Sequence, residues 1–303
     1  MGLLRKGSET MSWLIPSRCL IGRSRFCQLR VNTPETSGEH ALLRWRRGIW
    51  ELQDLHSRNG TYVDDRRLPG GQAISLAEGA RLSFGGLESV VLVDAGPPEA
   101  QAVRLDLPLT TVEAQDGCLA LPDANEPEVV VRHQDYQWWL ERADGVSLVD
   151  DGAIISTRVG RWRLHLPELL PSTCDAEGVA PTLAGLALRF FVREDGDIIE
   201  LVVSHGDNRL DIKARAHHAP LLALARARLA QAGRASEEMG WVEQDELVRL
   251  LKCDASRLHV DIHRLRRQFA AAGVVNAANI IERSQATHKL RLAISDLNIT
   301  TLS

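Results

Sequence analysis

With 303 residues and a formal net charge of −4, the chain is long enough for about two domains, with room for a third small one. Hydrophobic content of 44% and charged content of 25% are globular averages and exclude disorder of the chain as a whole. A negative balance gives no global attraction to nucleic acid, so any such binding needs a local patch. No apolar run approaches the roughly 20 residues of a membrane span, and the amino end has no apolar stretch of the signal-peptide type. The five cysteines (Cys19, Cys27, Cys118, Cys174, Cys253) are odd in number and form no Cys-x-x-Cys pair, which argues against a disulfide framework and a structural zinc site. The expectation is a soluble, reduced, cytoplasmic protein.

Short alternating segments run from about Ser12 to Val93. Examples are Cys19-Leu20-Ile21-Gly22, Ala41-Leu42-Leu43-Arg44-Trp45 and Ser89-Val90-Val91-Leu92. Arg47-Gly48, Asn59-Gly60, Pro69-Gly70-Gly71 and Gly85-Gly86 punctuate them, a spacing that predicts an antiparallel sandwich over 11–95. Gly96-Pro97-Pro98 reads as a linker. Val129-Val130-Val131, Gln137-Trp138-Trp139-Leu140 and Trp162-Arg163-Leu164 predict further strands, so 101–170 reads as a small β-rich connector or a degenerate repeat. The prolines Pro167, Pro171 and Pro181 mark a second linker.

Strands are then predicted over 186–193 and 198–204, joined at Glu194-Asp195-Gly196-Asp197, with a third after Gly206-Asp207-Asn208. Three helical stripes follow: Leu221, Leu222, Leu224, Ala225 and Leu229, closed by Gly233; Val242, Leu247, Leu250 and Leu251; and Leu258, Ile262, Leu265 and Phe269, ended by Gly273. Ile280-Ile281-Glu282-Arg283 and Lys289-Leu290-Arg291-Leu292 predict a closing hairpin.

Four separated motifs fall in one order within the first block: Gly22-Arg23, Ser37-Gly38-Glu39-His40, Leu52-Gln53-Asp54-Leu55 and Ser57-Arg58-Asn59-Gly60-Thr61. Together they resemble the forkhead-associated (FHA) family, a β-sandwich that binds phosphothreonine peptides through loops at one end. The chemistry agrees. A phosphothreonine carries nearly two negative charges near pH 7 and three strong acceptor oxygens. Holding it calls for a guanidinium, hydroxyls and backbone donors. The resemblance implies that Arg23 supplies the guanidinium, Ser37 a hydroxyl, Arg58 further donors, and Asn59 a bond to the peptide backbone beyond the phosphoresidue. It gives Gly22, His40 and Gly60 structural roles, with His40 bracing its own loop. The family often has Arg or Lys after the motif serine; this chain has Gly38, one phosphate donor fewer. Arg25, Arg44, Arg46 and Arg47 read as solvated edge residues.

Gly240-Trp241-Val242-Glu243-Gln244-Asp245-Glu246-Leu247, followed by Leu258-His259-Val260-Asp261-Ile262-His263-Arg264-Leu265-Arg266-Arg267, looks like the winged-helix effector domain of OmpR-type response regulators. With the preceding strands and the closing hairpin it covers 186–295 as an α+β winged helix-turn-helix domain. The resemblance implies that the last helix enters the major groove, with Arg257, Arg264 and Arg267 opposite its apolar stripe and Lys289 on the wing. The Arg-Gly-x-Gly-Tyr wing signature is absent. His217-His218 reads as a capping or surface pair.

No phosphate loop, nucleophile elbow, metalloprotease helix or kinase signature occurs, so neither catalysis, a cofactor nor a metal is expected. Two functions stay open for this multidomain chain. One is a phosphorylation-responsive transcription regulator, taking a phosphothreonine protein (a Ser/Thr kinase or its substrate) and double-stranded DNA as partners. The other is a signal-transduction adaptor that does not bind DNA, whose winged helix docks protein. Neither involves a membrane.

Overall fold

The computed structural model describes residues 2–6, 12–86, 89–106, 110–168, 180–194, 198–231 and 239–302. The Asp195–Asp197 part of the expected hairpin turn, Gly233, Cys174 and the middle of the 167–185 linker lie outside the described residues. In chain order the first strands are β1 (Gly2–Lys6), β2 (Ser12–Leu14), β3 (Arg18–Gly22), β4 (Leu29–Arg30), β5 (Ala41–Arg46), β6 (Ile49–Asp54), β7 (Thr61–Val63), β8 (Arg66–Arg67), β9 (Ala73–Leu76), β10 (Arg81–Phe84) and β11 (Ser89–Ala95). β12 (Gln101–Arg104), β13 (Thr111–Glu113), β14 (Cys118–Leu121), β15 (Val129–Gln134), β16 (Gln137–Arg142), β17 (Gly145–Leu148), β18 (Ile154–Thr157) and β19 (Gly160–His165) follow. The carboxyl-terminal part holds β20 (Leu186–Arg193), β21 (Ile198–His205), β22 (Asn208–Leu210), α1 (Ala219–Ala230), β23 (Val242–Glu243), α2 (Gln244–Leu251), α3 (Ala255–Ala271), β24 (Ile281–Arg283), β25 (Lys289–Leu292) and β26 (Asp296–Leu302).

These elements gather into two compact units. The first comprises residues 1–113, 150–156 and 160–172. Its sandwich has one sheet in the order β2-β1-β11-β10-β7-β8 and another in the order β4-β3-β5-β6-β9. Period-two alternation points Leu4, Ile21, Leu43, Leu52, Leu82 and Leu92 into the shared core, each at most 1% exposed. Trp50 is buried in this core, and its indole N–H donates to the Gly96 carbonyl at 3.1 Å, so the buried ring leaves no polar atom unsatisfied. β1 was not foreseen; it pairs with both β2 and β11. A further sheet, β13-β12-β19-β18, buries Trp162 and Leu164.

The second unit comprises residues 114–149, 157–159 and 173–303. Its largest core unites Leu188, Phe190 and Val203 of the β22-β21-β20-β26 sheet with Leu224, Leu247, Leu265 and Phe269 of the three helices. β26 runs parallel to β20 and was also not foreseen. The helices fall where the apolar periodicity places them, with three differences: Leu229 of the first stripe is 39% exposed, Leu250 of the second is 63% exposed, and Val242 lies in β23 rather than in a helix. α2 ends because Lys252 turns left-handed (φ 50°), and α3 begins at Asp254, whose carboxylate accepts the Arg257 N–H at 2.7 Å. β23, β25 and β24 form a small sheet beyond α3.

Residues 101–170, read from sequence as a connector or repeat, divide between the units. The β14-β15-β16-β17 sheet belongs with the helices, while β12, β13, β18 and β19 belong with the sandwich. The physical reason is a buried charge. Arg132 on β15 and Glu141 on β16 lie diagonally across the strand pair, opposite Trp139 and Val130 respectively, and pair at 2.8 Å. Arg266 of α3 donates to the same carboxylate at 2.7 Å, all three side chains being at most 3% exposed. Gln244 Nε2 to the Ala143 carbonyl at 2.7 Å and Arg132 to Asn279 Oδ1 at 2.6 Å extend the seam. Cys118, Val130 and Ala278 form its apolar part.

Candidate functional site

Three turns meet at one end of the first sandwich. Arg23 N donates to the Ser37 carbonyl at 2.9 Å, Ser24 N to the Gly38 carbonyl at 2.9 Å, and His40 N to the Ile21 carbonyl at 2.8 Å. These bonds sew the turn after β3 to the turn before β5. The chain at Gly22 lies so close to Gly38 that a Cβ there would collide with the Gly38 carbonyl oxygen, so only glycine fits. On the opposite side, Arg58 N donates to Ser37 Oγ at 3.1 Å, and Asn59 Nδ2 donates to the Glu35 carbonyl at 2.7 Å. Arg23, Ser37, Arg58 and Asn59 are thus brought to adjoining turns.

Beneath them His40 is fully buried. Its Nδ1 accepts the Ser37 backbone N–H at 3.0 Å, which can only donate, so the ring proton resides on Nε2 and is given to the Gly60 carbonyl 3.1 Å away. Burial pushes its pKa below the ordinary 6.5 despite the Gly60 carbonyl and Asp54, and the neutral ring is what both hydrogen bonds require. His40 is therefore a brace joining all three turns, and Gly60 completes the last one at φ +85°.

The sequence motifs contain Asp54, Ser57 and Thr61 without revealing what they do. Asp54 accepts from Ser57 Oγ at 2.5 Å, Thr61 Oγ1 at 2.6 Å and Ser57 N at 3.1 Å. Ser57 Oγ in turn accepts from Gly60 N at 3.0 Å. Burial would raise the carboxyl, but the two hydroxyls and the amide outweigh it and hold Asp54 below the usual carboxylate range. Thr36 was also missed; its hydroxyl ties the Ser37 turn to the Phe84 carbonyl at 2.8 Å. A hydroxyl in a turn is too common a pattern to have singled it out.

Electrostatically, Arg23 and Arg58 are exposed, and neither guanidinium is ion-paired among the described residues. The cations of the second unit differ. Arg257 pairs with Asp261 at 2.9 Å, and Lys289 with Glu243 at 3.3 Å. Arg264 and Arg267 lean on the Asn125 and Ala124 carbonyls, both at 3.4 Å. Arg283 donates to the Arg142 carbonyl at 2.6 Å and to Gln244, and Arg291 pairs with Glu282 and lies 4.6 Å over the Trp241 ring. Of the face expected from sequence, Arg257 is exposed and Arg264 and Arg267 are half-buried, while the neighbouring His259, His263 and Arg266 are at most 4% exposed. His217 and His218 share the Gln268 side-chain oxygen at 2.7 and 2.9 Å, with His218 buried rather than on the surface.

Among the described residues no group of three His, Cys, Asp or Glu side chains is placed to hold a metal ion, and no helix is long and apolar enough to cross a membrane.

Comparison with known proteins adds a family to this geometry. Among solved structures, the FhaA FHA domain complexed with the intracellular domain of Rv3910 is 26% identical, covering 30% of this chain and 98% of its own, with a TM-score of 0.27. Mycobacterium tuberculosis Rv1747 FHA-1 is 25% identical over 31% of this chain and 96% of its own, TM-score 0.26. Mycobacterium tuberculosis EmbR, in complex with a low affinity phosphopeptide, is 22% identical over 31% of this chain and 25% of its own, TM-score 0.29. No curated protein matches the chain. The family model described as the FHA domain matches residues 19–85, the stretch from β3 to the turn after β10 that carries all three turns; this part of the chain is an FHA domain.

Proposed function

We propose that the chain is a signalling protein that binds phosphothreonine peptides through the turns holding Arg23, Ser37, Arg58 and Asn59. The observation that carries this is the contrast in how charge is used. Among the described residues the exposed guanidiniums of Arg23 and Arg58 have no ion-pair partner and stand beside a hydroxyl whose turn is held from both sides, so their charge is available to a ligand. Matched phosphothreonine and threonine peptides titrated against wild type and Arg23→Ala test it. Wild type is expected to bind only the phosphorylated peptide. Arg23→Ala is expected to weaken it by about 1.5–3 kcal/mol, tenfold or more. Equal binding in all four combinations would refute the reading.

For residues 186–295, the order α1, β23, α2, α3, β24, β25 supports a winged helix. The burial of His259, His263 and Arg266 on α3, and the ion pairs of Arg257 and Lys289 within the unit, favour the adaptor over the DNA-binding regulator. A helix that reads base edges must enter a groove with that face bare.

A further inference from the structure

Phe26 breaks the pattern of the first sandwich. The ring is 72% exposed, the most exposed large hydrophobic side chain among the described residues, although a buried alternative lies one residue on at Cys27. Solitary exposed apolar residues are ordinary; this one is held. Its backbone N–H donates to Ser24 Oγ at 3.3 Å, and Cys27 N donates to the Ser24 carbonyl at 3.2 Å. Cys27 Sγ donates to the Gly38 carbonyl at 3.2 Å, the same oxygen that receives Ser24 N at 2.9 Å. The turn bearing Phe26 is therefore pinned to the turn bearing Ser37. The Arg25 guanidinium carbon lies 4.9 Å from the ring centroid, so one face is stacked and the other is open.

We infer that Phe26, steadied by Arg25, is a specificity-determining contact for a large apolar side chain in the bound phosphopeptide, on the flank away from Asn59. The placement follows from the hydrogen bonds. Ser37 is bonded on one side to the turn of Arg23 and on the other to Arg58, next to Asn59. A peptide whose phosphate lies at Ser37 and whose backbone passes Asn59 has its other flank on the Phe26 side. A pre-positioned ring loses little freedom on binding, and covering its open face against an aromatic or branched aliphatic side chain removes apolar surface from water. The inference rests on the phosphopeptide reading above.

The test is an array of phosphothreonine peptides, each flanking position varied in turn between alanine, leucine, phenylalanine and glutamate, measured against full-length wild type, Phe26→Ala and Phe26→Leu. Wild type is expected to prefer leucine or phenylalanine at one position on a single flank. Phe26→Ala should lose about tenfold for those peptides and nothing for the alanine-flanked peptide, while Phe26→Leu retains part of the preference. Substituting so exposed a residue leaves the core intact. Phosphopeptide binding with no flank preference, or a preference unchanged in Phe26→Ala, would overturn the inference and leave the phosphopeptide reading standing. Wild type that binds no phosphothreonine peptide would overturn both.

Discussion

Ser37 offers all of its local groups to neighbours: its carbonyl receives Arg23 N, its N–H goes to His40, and its hydroxyl oxygen receives Arg58 N. Because the oxygen is an acceptor within the fold, the hydroxyl hydrogen is left to be donated outward. His40 is the residue on which this arrangement depends, and its energetics carry a sign. A folded-state pKa below 6.5 means that the unfolded chain binds the proton more readily. The stability due to the neutral ring is complete above pH 6.5 and declines as pH falls from there toward the depressed folded value. His40→Ala, which strands the Ser37 N–H and the Gly60 carbonyl, should cost about 2–3 kcal/mol at pH 7.5. Denaturant melts of both proteins between pH 7.5 and 5 should show that gap shrinking with acid; a constant or widening gap would contradict the assignment. The motif residues were legible in the sequence because Asn59-Gly60 and Ser37-x-x-His40 encode turns locally. Phe26 and Thr36 were not, since nothing local distinguishes them from ordinary loop residues.

At the scale of elements, α3 shows why its surroundings escaped a sequence reading. The sequence places Arg257, Arg264 and Arg267 as a cationic face opposite the Leu258, Ile262, Leu265 and Phe269 stripe and gives Arg266 no role. The carboxylate that buries Arg266 lies 125 residues earlier, at Glu141 on β16. Burial alone would raise that carboxyl, but Arg266 and then Arg132 draw it well below the ordinary 4.5. His259 and His263, pushed down to about 4 and about 3 chiefly by burial, remain neutral beside them. One ion removed from such a buried group leaves the others unpaired. Glu141→Gln should therefore destabilise the second unit by about 3–5 kcal/mol in denaturant melts, and adding Arg266→Met should recover part of it. A cost under about 1 kcal/mol would mean that the triad is solvated. The strands β1 and β26 were missed for a related reason. The pairings of β1 with β11 and of β26 with β20 are long-range, so no neighbouring segment announces them, although β1 also pairs locally with β2.

For the whole molecule, the distribution of paired and unpaired cations leads to a measurable distinction. Fluorescence anisotropy with generic duplex DNA should show no binding even at low salt, since Arg257 and Lys289 are already ion-paired and Arg264 and Arg267 lie against backbone carbonyls. Binding that weakens steeply as salt rises would instead restore the regulator reading and require the β14–β17 sheet to leave α3. Fold class was legible where local periodicity decides it, in the sandwich strands and the three helices. The partition of 101–170 was not, because it follows from which unit each strand's buried residues complete.

That partition has a consequence for how the protein is inherited and cut. The backbone passes from one compact unit to the other near residues 113, 149, 156, 159 and 172. A protease nick in any one of those passages leaves other peptide links joining the two bodies, and no single recombination breakpoint within that stretch transplants one body intact.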